Sequence, residues 1–217
     1  MRKAIADGYH VESVITSDLC QGACASYHGA ELAPHHRVLA DYADLGHKFF
    51  RTTQETYPIA FLPGDVFDPK HLEVVPPSSY TSANAPTGPV PALRSLTSLN
   101  PLHGRVSAIH ASSFFHLFSE KKQLHVGRAL AGLLSPVPGS TIFGQHVALR
   151  EKGFRQSERE GHRMFCHSPA SWKDLWDGQV FEKGLVKVQV YLLEIPFDVD
   201  GLPMRYSTIL IWSVVRL

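Results

Sequence analysis

Two aspartates follow short apolar runs in the first third of the chain, where carboxylates could bind a ligand. Asp18 comes near the end of the β-rich run VESVITSDL (residues 11–19), and Asp65 follows the run YPIAFL (57–62) and a Pro-Gly turn. In open α/β sheets, ligands bind beyond the carboxyl ends of the strands, where an acid can accept both hydroxyls of a ribose. This spacing favours a nucleoside-bearing cofactor. The alternative is that each aspartate caps a helix or a turn.

A second group of candidate ligands lies in the segment after the first aspartate. It consists of Cys20, Cys24, His28 and His35 or His36. The first three are spaced at i, i+4 and i+8, so a helix would place these zinc-binding residue types on one face. The group lacks the closely spaced cysteine pair of structural zinc sites. A zinc site is therefore a further hypothesis, and an assay for bound metal would test it.

Length and composition bound the class of protein. The 217 residues favour one domain spanning 1–217, and the 44% hydrophobic content is sufficient for a sizeable core. A net charge of +1 gives no basic field for nucleic acid, and three cysteines suit a reducing compartment. No apolar run of the length of a secretory signal follows the charged first residues, so we expect no signal sequence, and no window approaches the ~18 apolar residues of a membrane helix. We therefore expect a cytoplasmic protein with a small-molecule substrate, no nucleic-acid or membrane partner and, at most, a second copy in a homodimer.

The first half of the chain contains few regular elements. The sequence predicts one or two helical turns over residues 1–9, strands over 11–19 and 57–62, and the last turns of a helix over 45–51. In residues 20–44 the apolar side chains follow neither a helical nor a strand spacing. Residues 76–102 contain six prolines and a single charged side chain, Arg94, which predicts a long flexible loop.

The second half shows an alternation of strands and helices. We predict a buried strand over 105–112, a strand over 141–149, and two adjacent C-terminal strands over 186–192 and 207–215. Ser119 is placed to cap a helix, and Ser168 to open a shorter one through Trp172 and Trp176. The longer helix has one apolar stripe, formed by Val126, Leu130, Leu133 and Leu134. This order predicts an α/β fold with a mainly parallel sheet and an antiparallel strand at its C-terminal side.

Several longer runs resemble one family. They are GDVFD (64–68), IHASSFFHLF (109–118), LLSPVPGSTIFG (133–144), MFCHSPASWKDLWDGQVFEKG (164–184) and the terminal IWSVVRL. Together with the order of elements, they resemble class I S-adenosylmethionine-dependent methyltransferases of fungal secondary metabolism, a group that includes carboxyl O-methylating enzymes of meroterpenoid pathways. The resemblance covers residues 1–19, about 45–75 and 104–217. The stretches 20–44 and 76–103 look like insertions.

The resemblance implies a Rossmann-like fold, S-adenosylmethionine as cofactor, and transfer of a methyl group to a carboxyl or hydroxyl oxygen. It also implies positions for the cofactor. Asp18 would bind the ribose hydroxyls with Leu19 beside it, and Asp65 and Val66 would frame the adenine. The methionine end would lie above two residues of the third run, Ala111 and Ser112.

By the same resemblance, His116 faces the methyl acceptor. A neutral imidazole there can take a hydroxyl proton or donate a hydrogen bond to a carboxylate. The alternative is a buried histidine bonded to a backbone carbonyl. An apolar substrate pocket is expected to be lined by Met164, His167, Trp172 and Trp176. The alternative is that these side chains belong to the hydrophobic core. No catalytic triad is needed, because methyl transfer depends mainly on alignment and exclusion of water.

The chain departs from the family pattern at its start. No glycine-rich GxGxG motif occurs, and residues 1–8 resemble the helix that normally follows that loop, as if the first strand and the loop were missing. We therefore expect no saturable binding of S-adenosylmethionine below about 1 mM. The alternative function is a non-catalytic methyltransferase-like protein that binds a hydrophobic metabolite or a partner protein.

Overall fold

A computed structural model describes residues 8, 10–17, 47–53, 55–77, 83, 85–156, 163–197 and 205–217. The chain divides into two units, the first formed by residues 1–73 and 88–102 and the second by residues 74–87 and 103–217. Asp18, Leu19, the Cys/His group of residues 20–36 and nearly all of the helix expected over 1–9 lie outside the described residues.

The first unit contains a small parallel sheet. Strand β1 (Ile15–Thr16) pairs with β2 (Ala60–Phe61). Residues 47 to 50 form a helical turn, as predicted, and β2 confirms a strand within 57–62. The prediction of a strand over 11–19 is wrong at its start, because Val11–Ser13 forms a 3-10 turn. In this turn the Ser13 N–H donates a hydrogen bond to the His10 carbonyl. None of those three side chains is buried, so they gain little from joining a sheet.

The proline-rich stretch is mostly irregular, as its composition predicts. Two 3-10 turns, Leu93–Ser95 and Asn100–Leu102, lie wholly within its described residues. Leu99 and Leu102 are buried in the core of the first unit, together with Leu62, Val66 and Leu72.

The second unit is built on a four-stranded sheet. Its strands are β3 (Ala108–His110), β4 (Thr141–Val147), β7 (Val186–Phe197) and β8 (Arg205–Arg216). Their order across the sheet is β3-β4-β8-β7. Strand β3 runs parallel to β4, whereas β8 lies antiparallel to both β4 and β7. A separate antiparallel hairpin is formed by β5 (Gly153–Gln156) and β6 (Arg163–Cys166).

The mixed α/β class and the antiparallel C-terminal strand are confirmed. In the four-stranded sheet, β3, β4 and β7 run in one direction and β8 alone runs in the other, in agreement with the predicted mainly parallel sheet. The antiparallel strand does not lie at one side of the sheet, because β8 inserts between β4 and β7, and the longest ladders are therefore antiparallel. The strand expected over 105–112 is shorter than predicted, and its side chains are exposed or half-buried because β3 has one neighbour in the described sheet.

Two helices belong to the second unit. Helix α1 (Glu120–Leu133) buries the predicted stripe, with Val126, Leu130, Leu133 and Leu134 all at most 4% exposed. Ser119 stands at its N-cap position but its side chain makes no cap hydrogen bond, so that part of the prediction is wrong. Helix α2 (Pro169–Trp176) begins with the expected Ser168, whose hydroxyl accepts the Ser171 N–H at 3.2 Å in a reciprocal capping box.

The two faces of the large sheet differ in burial. Alternation along β4 and β8 puts Ile142, His146, Leu210, Trp212 and Val214 on the buried face. The opposite face carries exposed apolar side chains, namely Phe143, Tyr191, Leu193, Ile195 and Ile211. In the described part of the chain, no helix has the length and apolar character needed to cross a membrane.

Candidate functional site

An aromatic cluster occupies the buried face of the sheet. Trp172 lies at its centre, with ring centroids 4.9 Å from Phe115, 4.5 Å from His146 and 5.1 Å from Trp212. Trp176 stacks on Trp212 at 5.8 Å. Helical spacing of four residues brings the two α2 tryptophans to one face, and strand alternation points His146 and Trp212 toward them. The cluster therefore joins elements distant in sequence.

His146 is the residue that sequence reasoning missed. The Trp212 indole Nε1–H donates to His146 Nδ1 at 3.0 Å. Because an indole nitrogen is only a donor, Nδ1 must accept, and the proton of the neutral ring resides on Nε2. That Nε2 is buried and has no hydrogen-bond partner among the described residues. Burial, with His116 and His167 nearby, lowers the pKa of His146 to about 3. The signal was the two-residue alternation of β4, which assigns His146 to the buried face.

His167 joins this cluster from the turn before α2. Its Nδ1 lies 2.9 Å from the Ser171 hydroxyl, and its ring lies 5.3 Å from that of Trp172. The Nε2 atom is buried without a partner among the described residues. Burial lowers the pKa of His167 to about 4, although the Glu120 carboxylate opposes this shift. The imidazole is therefore neutral near pH 7.

His116 lies in the 3-10 turn Phe115–Leu117 and is half-buried. Its Nδ1 is buried and has no hydrogen-bond partner among the described residues. The core-histidine alternative requires a hydrogen bond from the ring to a backbone carbonyl, and the described part of the chain shows none. Burial, and then the positive charge of Arg155, lowers the pKa of His116. A neutral imidazole with a free nitrogen can accept or donate one hydrogen bond to a bound molecule.

These three imidazoles do not form a metal centre. Among the residues that the structure describes, no group of three or more His, Cys, Asp or Glu side chains is placed to hold a metal ion. Their unpartnered nitrogens are nevertheless costly to bury, since an unsatisfied polar atom costs about 1–3 kcal/mol. An arrangement of this kind is typical of a site that hydrogen-bonds a ligand or an ordered water.

The loop holding Ala111 and Ser112 is fixed against β4. Backbone N–H groups of Ala111 and Ser113 donate to Phe143 and Gln145 carbonyls at 2.9 and 2.7 Å. Ser113 adopts a left-handed backbone with φ of 53°, and a Cβ at Gly144 would overlap the Ala111 carbonyl. The Ser112 hydroxyl lies 2.7 Å from His110 Nε2. The predicted cofactor loop is thus rigid, and its serine hydroxyl already has a partner.

The residues expected to line a substrate pocket occupy different surroundings. Trp172 and Trp176 are completely buried by protein, as the core alternative predicts. His167 contacts Trp172 but keeps a free nitrogen, and Met164 is half-buried on β6, opposite Arg155. Their assignment to a substrate pocket stays a prediction.

In the first unit, Asp65 and Val66 form a tight turn after β2. Asp65 Oδ1 accepts the Phe67 N–H at 2.9 Å, which is the turn-capping geometry of the alternative interpretation. Val66 is fully buried. The His71 ring packs directly on Gly64, where any Cβ would overlap it. The second carboxylate oxygen of Asp65 has no hydrogen bond from a described residue.

Comparison with known proteins confirms the resemblance seen in the sequence. No protein-family model matches the chain. A stretch of 143 residues (66% of this chain) is 28% identical to the O-methyltransferase phiE of a fungal species and spans 39% of that protein. A stretch of 84 residues (39%) is 34% identical to the methyltransferase trt5 of Aspergillus terreus and spans 30% of it. One of 117 residues (54%) is 32% identical to the methyltransferase ausD of Penicillium brasilianum and spans 42% of it.

The chain therefore matches less than half of the length of each of these relatives. Another relative, at 35% identity over 78 residues, is the asnovolin E/chermesin D methyltransferase nvfJ of Aspergillus novofumigatus. The protein is similar to fungal secondary-metabolite methyltransferases, and this similarity is spread over a group of relatives rather than resting on a single one.

Proposed function

We propose that the protein transfers the methyl group of S-adenosylmethionine to a carboxyl or hydroxyl oxygen of a small molecule in fungal secondary metabolism, in the cytoplasm. Three facts support this proposal. The relatives are fungal methyltransferases, the fold is mixed α/β, and the large sheet has strands of one direction with a single antiparallel strand, β8. We propose that this sheet belongs to a Rossmann-like class I fold. Bound S-adenosylmethionine would supply an electrophilic methyl carbon, so the protein needs chiefly to align the acceptor and exclude water.

The observation that carries the proposal is His116. It follows the rigid Ala111–Ser112 loop by four residues and presents a buried Nδ1 with no partner among the described residues. When the acceptor is a hydroxyl, the imidazole can accept its proton as the new C–O bond forms and the C–S bond breaks. When the acceptor is an ionised carboxylate, no proton moves, and a hydrogen bond from the ring orients the oxygen. Its lowered pKa keeps the ring neutral for both roles.

The residues assigned to the cofactor fit it in part. The Ala111–Ser112 backbone is held in a fixed shape, and Asp65 retains one carboxylate oxygen for a ligand. The 217 residues contain no glycine-rich motif, so weak affinity is expected. That absence, with the exposed apolar face of the sheet, supports a second candidate function: a non-catalytic methyltransferase-like protein that binds a hydrophobic metabolite or a partner protein.

Calorimetry and a transfer assay separate the two candidates. S-adenosylmethionine and S-adenosylhomocysteine are titrated to several times the ~1 mM threshold, and methyl transfer to small carboxylic acids and phenols is measured at saturation. The methyltransferase proposal expects saturable binding and methylated product, and His116→Gln should reduce product formation strongly with phenols and far less with carboxylic acids. The exposed His10→Gln is the matched control and should behave as the unaltered protein. No binding and no product at these concentrations would favour the non-catalytic protein.

A further inference from the structure

Arg155 is a half-buried cation whose charge has no partner among the described residues. It lies on β5, and its Nη1 donates to the Ser207 hydroxyl at the start of β8 at 3.4 Å. Nearby cations of the same unit do have partners. Arg150 pairs with Glu194 at 2.7 Å, Lys152 pairs with Glu120 at 2.9 Å, and Arg163 stacks over Phe154 at 5.1 Å.

The described groups next to Arg155 carry no negative charge that could neutralise it. Arg155 pairs across the hairpin with Met164, an uncharged side chain. Cys166, two residues further along β6, is buried, and this burial raises the pKa of its thiol to about 11, so the sulfur stays uncharged. His116 is close enough for the guanidinium to lower its pKa, and it too is neutral. Ser207 offers only a hydroxyl. Among the residues that the structure describes, Arg155 therefore has only neutral hydrogen-bonding groups around it, and His116 Nδ1 is still unpartnered there.

This combination has the chemistry of an anion site. A guanidinium presents a planar fork of N–H donors that matches a carboxylate in a bidentate arrangement. Withdrawing it partly from water without a counter-ion is unfavourable, and a bound anion relieves that cost. The 3.4 Å contact with Ser207 is too long to satisfy the group by itself, but it limits where the fork can point.

We propose that Arg155, with Ser207 and His116, positions a carboxylate of the bound small molecule. The inference rests on the proposed function for its location, since His116 is placed at the acceptor. Two molecules could supply the carboxylate: the acceptor, or the methionine portion of the cofactor. Arg155 is a specificity-determining residue in both cases, because it distinguishes an anionic group from a neutral one of similar shape.

The test uses two pairs of probes on the full chain. Benzoate is compared with benzyl alcohol, and S-adenosylhomocysteine with methylthioadenosine, which lacks the carboxylate. Binding is followed by calorimetry and by NMR of isotope-labelled histidine, with the His116 signal assigned from His116→Gln. We expect benzoate to shift the His116 signal. We also expect Arg155→Met to raise the dissociation constant of one anionic probe about tenfold or more and to leave that of its neutral counterpart unchanged.

Controls separate charge recognition from structural damage. Arg155→Lys retains the charge without the fork and should give an intermediate loss. Arg150→Met removes an exposed arginine of the same unit and should leave the binding of all four probes unchanged. A loss confined to benzoate assigns the carboxylate to the acceptor, and one confined to S-adenosylhomocysteine assigns it to the cofactor.

The proposal is overturned when Arg155→Met weakens the binding of neither anionic probe, or when it weakens the neutral and the anionic probe of a pair alike. Benzoate is measured without cofactor. Failure of S-adenosylmethionine to bind would therefore refute the proposed function while leaving the anion site to be judged by the benzoate result.

Discussion

Buried neutral histidines should make the second unit sensitive to mild acid. His146 and His167 have their pKa values lowered from 6.5 to about 3 and about 4, chiefly by burial. Above pH 6.5 both rings are neutral in the folded and the unfolded chain, so they add no pH dependence. Below it, the unfolded chain binds two protons that the folded chain does not, and the free energy of unfolding falls as the pH drops.

The magnitude follows from the size of this window. At about pH 5, each ring lies some 1.5 pH units below its unfolded pKa, which corresponds to a loss of about 2 kcal/mol per histidine. The two together cost about 4 kcal/mol, a large part of the roughly 5–15 kcal/mol that stabilises an ordinary domain. The loss should level off only below about pH 4, where the folded state begins to bind the same protons.

The variant that isolates this effect is His146→Asn. An asparagine carbonyl can still accept the Trp212 indole N–H, but it does not titrate. We expect it to lower stability near pH 7 by about 1–3 kcal/mol through lost ring packing, and to make the pH dependence shallower by about 1.4 kcal/mol per pH unit. Urea unfolding followed by circular dichroism between about pH 7 and pH 5 measures both quantities. A flat wild-type profile, or an unchanged slope in His146→Asn beside an exposed His10→Asn control, would refute the reasoning.

Three further outcomes are expected. Gly144→Ala should lower the melting temperature through a clash with the Ala111 carbonyl costing about 1–3 kcal/mol, whereas Gly153→Ala, which has open space, should not. His116→Gln should reduce kcat about 10²–10⁴-fold for a hydroxyl acceptor and far less for an ionised carboxylate; lost thermal stability with intact turnover would point to a structural role. Asp18→Ala should weaken cofactor binding by about 1.5–3 kcal/mol, and an unchanged dissociation constant would remove it from the site.

Local signals predicted the elements that local chemistry controls. The Ser168-Pro169 start of α2, the apolar stripe of α1 and the alternating β7 strand all encode their structure within a few residues. The position of β8 between β4 and β7 could not be read in the same way, because it depends on pairing between segments far apart in sequence. The exposure of β3 was missed for this reason, since burial depends on neighbours rather than on composition.

The candidate site shows the same division. The similarity of the 109–118 run to the family located His116. The tautomer of His146, in contrast, is fixed by a hydrogen bond from Trp212, which is 66 residues away in sequence. A histidine in a strand gives no sign by itself that an indole will fix its tautomer. The charge environment of Arg155 was equally hidden, because Ser207 reaches it only when the hairpin and β8 have folded.

The placement of the tryptophans has a spectroscopic consequence. All three tryptophans of the chain, Trp172, Trp176 and Trp212, lie in one cluster of the second unit, with neighbouring rings 5.1–5.8 Å apart. Intrinsic tryptophan fluorescence therefore reports the core of that unit alone and does not register unfolding of the first unit. A fluorescence transition that coincides with loss of the circular dichroism signal would show that both units unfold together, whereas separated transitions would show that each melts by itself.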